Sequence, residues 1–304
     1  MRILATKGIA IMATFLMAVF LAIGCATTKK ITEDIGSGGK ALKKKIAFLP
    51  TVNKTGFGGK DFQKFARAHL NTFLKRFCDD LIIIDSRKTS NLLEEIPRLA
   101  SGQLDNLALA QVGRSLGLNT LLEESLSEIS FVEDQRGAWG FRDTCVLVQI
   151  SVYVRGYDVE TGAVLFDEVF HNEVVLSEGE SEEKNETSGY DKGTADRVLA
   201  KITPEISKRI CYHLDNEHWK GYVTSVSENT FTISAGKDVG LAVGDVLEVM
   251  GASEAIKGQG GQFYLVSGFK IGELRITRVH RNQAEAIGIL GSDLQKSSCV
   301  KLKR

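Results

Sequence analysis

Between Cys145 and Leu176 the chain reads CVLVQISVYVRGYDVETGAVLFDEVFHNEVVL. Val146, Val148, Ile150, Val152 and Val154 occupy every second position, the two-residue period of a strand with one buried face. Residues 158–162, DVETG, supply turn chemistry, and residues 163–176 form the return strand. A long hairpin is therefore expected, and the rest of the chain must supply what covers it.

The candidates for that cover lie on both sides. Phe62, Phe65, Ala66, Leu70, Phe73, Leu74 and Phe77 recur at steps of three and four, which predicts one face of a helix of about four turns. A short helix near Asn91–Glu95 ends at Pro97, and Leu104–Leu116 is expected to be helical, with Gly117 placed to close it. From about Thr194 to Asn216, Val198, Ile202, Ile206 and Ile210 stand four apart, with Pro204 inside as a position to kink. KIAFLP (45–50), LIIID (81–85) and residues 118–132 read as strands. NKTGFGG (53–59) reads as a loop, and the acidic stretch at 177–189 as an exposed one.

After Trp219 the pattern changes to short apolar runs separated by glycine and asparagine, at 221–250, 270–290 and 297–303. That is the pattern of a small β-barrel or sandwich. The expected fold class is α+β: an α/β sandwich of a mixed sheet packed with helices over 45–217, then a small all-β barrel over 218–304.

The first 44 residues belong to neither. Arg2 and Lys7 precede an uncharged, mostly apolar run from Gly8 to Gly24, the order of a secretory signal peptide. Ala22-Ile23-Gly24-Cys25 resembles the lipobox of bacterial lipoproteins. That resemblance implies cleavage after residue 24 and acylation of Cys25, whose thiol is the nucleophile that takes the diacylglyceryl group. Two or more acyl chains anchor a protein stably. Residues 25–44, polar and holding Gly-Ser-Gly-Gly, are expected to form a flexible tether. The absence of aspartate after Cys25 implies, by the same resemblance, the outer membrane. No second long apolar run and no internal repeat follow.

Composition narrows the partners. The chain carries 38 basic and 38 acidic residues, and setting Arg2 and Lys7 aside leaves it close to neutral. Nothing in that balance argues for nucleic acid. Cys78, Cys145, Cys211 and Cys299 lie far apart in apolar segments. An exported compartment permits disulfides, and four cysteines allow three full pairings. Most are expected to be buried free thiols.

Several motifs together resemble the CsgG-like and TolB-N-terminal-like α/β domain of bacterial envelope proteins, over about residues 44–215. They are Leu49-Pro50 leading to Asn53, Thr55 and Gly56; Gly113, Leu116 and Gly117 before a strand; and Asp158, Thr161 and Gly162 at a hairpin turn. Residues 240–249 and 271–279 resemble the C-terminal barrel of the flagellar assembly protein FlgT. Curli-secretion pores of the first family add membrane-spanning hairpins. The one candidate insertion here, FVEDQRGAWGFRDT (131–144), holds Glu133, Asp134, Arg136, Arg142 and Asp143. It is read as an exposed contact loop carrying Phe131, Trp139 and Phe141.

Chemistry-bearing patterns are weak. TGFGGKD (55–61) lacks Walker spacing, and a turn is the better reading. Cys211, His213 and His218 stand at steps of two and five, unsuited to zinc on a helix. Glu178, Glu180, Glu182, Glu183 and Glu186 lack calcium-loop spacing, and His69 and His171 fit ordinary packing. No nucleophile elbow is present. No cofactor, metal or small-molecule substrate is expected.

The resemblances imply a non-enzymatic envelope lipoprotein, anchored to the outer membrane and facing the periplasm. It would bind envelope proteins, with self-association possible, and assist a secretion, flagellar or cell-wall machine. The alternatives are a CsgG-like oligomeric secretion channel and, further off, a periplasmic enzyme with an unrecognised site.

Overall fold

The computed structural model describes residues 41–84, 90–137, 140, 143–176, 192–291, 294–296 and 298–303. The signal segment, Cys25, the tether up to Lys40, Trp139, Phe141 and the acidic loop lie outside the described residues. Leu42–Lys303 form one compact unit.

The first half is a mixed sheet. β1 (Lys44–Phe48), β2 (Val52–Asn53), β3 (Leu81–Ile83), β4 (Thr120–Arg136), β5 (Asp143–Asp158) and β6 (Val164–Leu176) lie in the order β3-β1-β4-β5-β6, with β2 against β4. β1 pairs in parallel with β3 and β4, while β4–β5 and β5–β6 are antiparallel. The expected hairpin is thus β5–β6, and its apolar face behaves as the period required: Val148, Ile150, Val152 and Val154 are all buried.

Two long helices cover that face. α1 (Gly59–Phe77) buries Phe62, Ala66, Leu70 and Leu74. Phe65 and Phe73 are only half-buried. With His69 and Phe77 they form a second row along the helix, neighbouring rings 4.7, 6.5 and 5.9 Å apart. Two short helices follow, α2 (Ser90–Glu94) and α3 (Asn106–Ser115). Asp105 caps α3 by accepting from the N–H groups of Leu107 and Ala108, and Gly117 closes it at a φ of 67°. α4 (Lys192–Asp215) runs through Pro204 without ending. A proline there removes one intrahelical hydrogen bond. The buried stripe of Val198, Ile202, Ile206 and Ile210 against the sheet outweighs that loss.

The expectation of mostly free thiols fails for two of the four cysteines. Cys78, just past α1, and Cys211, on α4, form a disulfide, their Cα atoms 5.6 Å apart. The two helices pack side by side and so bring together positions that sequence distance hides. Cys145 and Cys299 are free thiols, the first half-buried and the second buried.

The second half is a closed antiparallel barrel. β7 (Gly221–Ser227), β8 (Thr230–Ile233), β9 (Val246–Met250), β12 (Lys270–Val279), β13 (Ala284–Gly291) and β14 (Cys299–Leu302) close in the order β12-β13-β8-β7-β14-β9. A separate hairpin, β10 (Glu254–Lys257) and β11 (Phe263–Val266), projects from it. The barrel core holds Trp219, Val223, Ile233, Leu247, Leu274 and Val300, and also Leu42 from the far end of the chain. A third cluster bridges the halves, joining Ala47, Leu49, Leu109, Leu121 and Tyr157 to Tyr222 and Cys299. No described helix is long and apolar enough to cross a membrane.

Candidate functional site

The hairpin end bearing Phe131 is the first candidate. Residues 131–136, expected to be loop, continue β4, with Phe131 opposite Val148 and Arg136 opposite Asp143. The charges of Glu133, Asp134 and Arg136 masked the strand period. They are compatible with it because both faces here are open to water, and Arg136 bonds Asp134 at 2.9 Å. Phe131 is 45% exposed. One side of its ring lies 5.9 Å from Phe57, which meets the buried Phe62 edge-on at 5.2 Å. Val132 and Val175, on the other face, are also exposed and flank the buried Leu147. Exposed apolar side chains therefore stand on both faces of these paired strands, Phe131 on the face backed by Phe57 and Phe62, Val132 and Val175 on the opposite one. Trp139 and Phe141 lie outside the described residues.

Phe57 owes its place to the loop before α1. Asn53 Oδ1 accepts from Thr55 N at 3.0 Å and from Thr55 Oγ1 at 2.7 Å, while its amide donates to the carbonyls of Phe57 and Gly59. Thr55 Oγ1 in turn accepts from Phe57 N. The loop's polar side chains are spent on its own backbone, which is the turn reading and leaves little to cradle a phosphate.

The second candidate is the seam between sheet and barrel. The 158–162 turn is built as its motif predicts: Asp158 accepts from the N–H groups of Glu160 and Thr161 and from Thr161 Oγ1. Gly162 has a φ of 73°, and a Cβ there would come 2.7 Å from the Asn106 carbonyl oxygen. The turn also carries an ionic node. Lys220 Nζ lies 2.6 Å from Asp158 and 3.2 Å from Glu160, and Lys301 Nζ lies 3.0 Å from Glu160. Burial alone would raise the Glu160 pKa. Lys220, the Ser267 hydroxyl and Lys301 outweigh it and hold the carboxyl down at about 2. Burial likewise opposes the charge on Lys220, but Asp158 and Glu160 raise its pKa. The same seam is stitched by Asn119, which accepts from Lys45 N and donates to the Lys220 carbonyl.

Beside the node lies an open cavity of about 510 Å³ lined by Gln111, Arg114, Tyr222, Ser253, Leu265 and Lys296, among others. Arg114 donates to the Glu160 carbonyl and to Ser253 Oγ. Cys299, buried beneath, is pushed up to about 12 chiefly by that burial. It is a poor nucleophile in that state.

Other side chains singled out by sequence have ordinary employment. Cys211 is in the disulfide, and His213 bonds Glu168 at 2.6 Å. His69 meets Asp196 at 2.9 Å and His171 meets Ser151 at 2.7 Å. No group of three or more His, Cys, Asp or Glu that could hold a metal occurs among the described residues.

Three features escaped sequence reasoning. The ionic node did, because lysines and glutamates far apart in sequence carry no pairing signal. So did Phe57 as the support of Phe131. Phe269, 93% exposed at the start of β12, was the third, and its only signal was a lone aromatic beside a glycine.

No protein-family model matches the chain, and no curated protein matches it. Among solved structures it is similar to the hypothetical protein CT253 from Chlamydia trachomatis, at 16% identity over 56% of this chain and 99% of that one, with a TM-score of 0.36. It is similar to lipoprotein GNA1162 from Neisseria meningitidis, at 10% identity over 54% and 98%, with a TM-score of 0.32. A PelC dodecamer from Paraburkholderia phytofirmans gives 14% identity over 56% and 88%, with a TM-score of 0.31. Likenesses this distant transfer no role.

Proposed function

We propose that this chain is a non-enzymatic lipoprotein of the bacterial envelope, held to the outer membrane through Cys25 and facing the periplasm. Its sheet domain, of CsgG-like and TolB-N-terminal-like character, and its FlgT-like barrel serve to bind other envelope proteins during assembly of a larger machine. The observation that carries the binding role is the apolar exposure at this hairpin end, Phe131 on one face of the paired strands and Val132 and Val175 on the other. Half-exposed aromatics with a buried back are good interface anchors. Export is supported by the lipobox residues and by the Cys78–Cys211 disulfide, since disulfides persist in oxidising compartments.

The charged residues at 133–136 weigh against a channel, whose spanning strands need about 9–11 residues alternating apolar and polar. Crosslinked envelopes test the binding role. Wild-type protein should co-purify with a defined partner, and Phe131→Ser with Val132→Ser should lose it while remaining folded. Unchanged capture removes this hairpin end from the proposal. Rings with a conducting channel, seen by electron microscopy and in bilayers, overturn the non-channel reading. Cys25→Ser should release the protein from the membrane fraction.

A further inference from the structure

The chain enters its folded body at one end of the barrel. Leu42 is buried between Val239 and Leu241, and Lys43 N donates to the Val239 carbonyl at 2.9 Å. Two loops, 236–245 and 279–283, form that end and are tied to each other: Lys237 N bonds the His280 carbonyl and Asp238 N the Arg281 carbonyl. Val243 projects from it, 66% exposed.

The charges at this end are uneven. Asp238 pairs with Lys45 at 3.0 Å, Glu285 with Arg278 and His280, and Asp245 accepts from Ala242 N. The acids of these two loops are thus engaged, while the exposed Asp80 and Asp215 lie near Lys44 at the chain entry. Lys43, Lys237 and Arg281 are exposed, and none makes an ion pair among the described residues. The two loops and Lys43 therefore present a cationic surface with one apolar projection, close to where the chain leaves for its N-terminus.

We propose that this end of the barrel rests on the anionic phospholipid headgroups of the bilayer that holds Cys25. The inference rests on the acylation of Cys25 proposed above. Residues 26–41 cannot carry the body farther than about 60 Å from the lipid even when fully extended. A tether of that length keeps the face at a high effective concentration over the headgroups, so contacts too weak to recruit a free protein suffice. Basic residues near an anionic surface are attracted to it, and the attraction falls off within a Debye length.

The docked orientation also places the hairpin end that carries Phe131. β1 and β4 start at the same end of the sheet, Ile46 opposite Thr120, and β4 runs away from the point of chain entry. Eleven residues of strand lift Phe131 about 35 Å from that foot. The barrel end faces lipid, and the hairpin end faces whatever the protein binds.

The test uses the natural lipidated protein, reconstituted in phosphatidylethanolamine–phosphatidylglycerol vesicles and, separately, in phosphatidylcholine vesicles. Amide exchange in 236–245 and 279–283 should slow several-fold in the anionic vesicles alone, and the slowing should vanish in high salt. K43E/K237E/R281E should lose that protection while still pelleting with vesicles and keeping native exchange in the rest of the barrel. Val243→Asp should weaken it independently. Equal exchange in both vesicle types, with the acylated Cys25 mass present, overturns docking and leaves the anchor standing. An unmodified Cys25 mass overturns the anchor and the docking with it. Protection that appears only on adding soluble envelope proteins overturns the lipid assignment in favour of a protein contact.

Discussion

Lys220 is nine-tenths buried and faces two carboxylates that are buried as deeply. Removing one member of such a group strands the others without water or counter-charge. Lys220→Met should therefore destabilise the fold by about 3–5 kcal/mol in urea denaturation. Acid acts on the same node. The Glu160 pKa falls from 4.5 to about 2 in the folded chain. Its stabilisation is complete above the unfolded value and is lost as pH falls from 4.5 towards 2, amounting to roughly 3 kcal/mol. Unfolding midpoints measured across that window should drop steeply, and Glu160→Gln should flatten the slope. Tyr222 presents the opposite case, a buried hydroxyl with no hydrogen-bond partner among the described residues. Tyr222→Phe should be neutral or stabilising by about 1 kcal/mol, measured by the same denaturation.

At the level of elements, the clearest test is the staple between α1 and α4. It joins residues 133 apart in sequence. Reduction, or Cys78→Ser with Cys211→Ser, should cost about 2–5 kcal/mol and lower the melting temperature. What sequence could and could not reveal divides along the same line. Features written in neighbouring residues were legible: the period of β5, the apolar faces of α1 and α4, the turn at Asp158–Gly162, and the glycine after α3. Features written between distant residues were not. Nothing local marks Cys78 and Cys211 as partners, or Glu160 as the meeting point of Lys220 and Lys301. β4 shows a third kind of failure. Once its faces leave the core they carry Glu133, Asp134 and Arg136, and the alternation that signals a strand disappears although the pairing continues. Phe131 was legible as an exposed aromatic, but its support by Phe57 depended on a loop more than seventy residues earlier.

For the molecule as a whole, the sheet and the barrel share a buried cluster, an ionic node, the Asn119 amide's bond to the Lys220 carbonyl and the backbone bond from Leu265 N to the Thr161 carbonyl. The two halves should accordingly melt in one calorimetric transition, and Lys220→Met should shift that single transition rather than split it. The closure of the barrel has a consequence for how the chain is made. Leu42, among the first residues of the fold, packs with Val239 and Leu241. The final ladder is supplied by Cys299–Leu302 at the other extremity. Leu42 must therefore wait for Val239 and Leu241, and the barrel for β14, before each finds its place. A polypeptide broken off short of Cys299 would leave β7 and β9 without their shared neighbour and the barrel open, so the sealed barrel depends on the arrival of that one late strand.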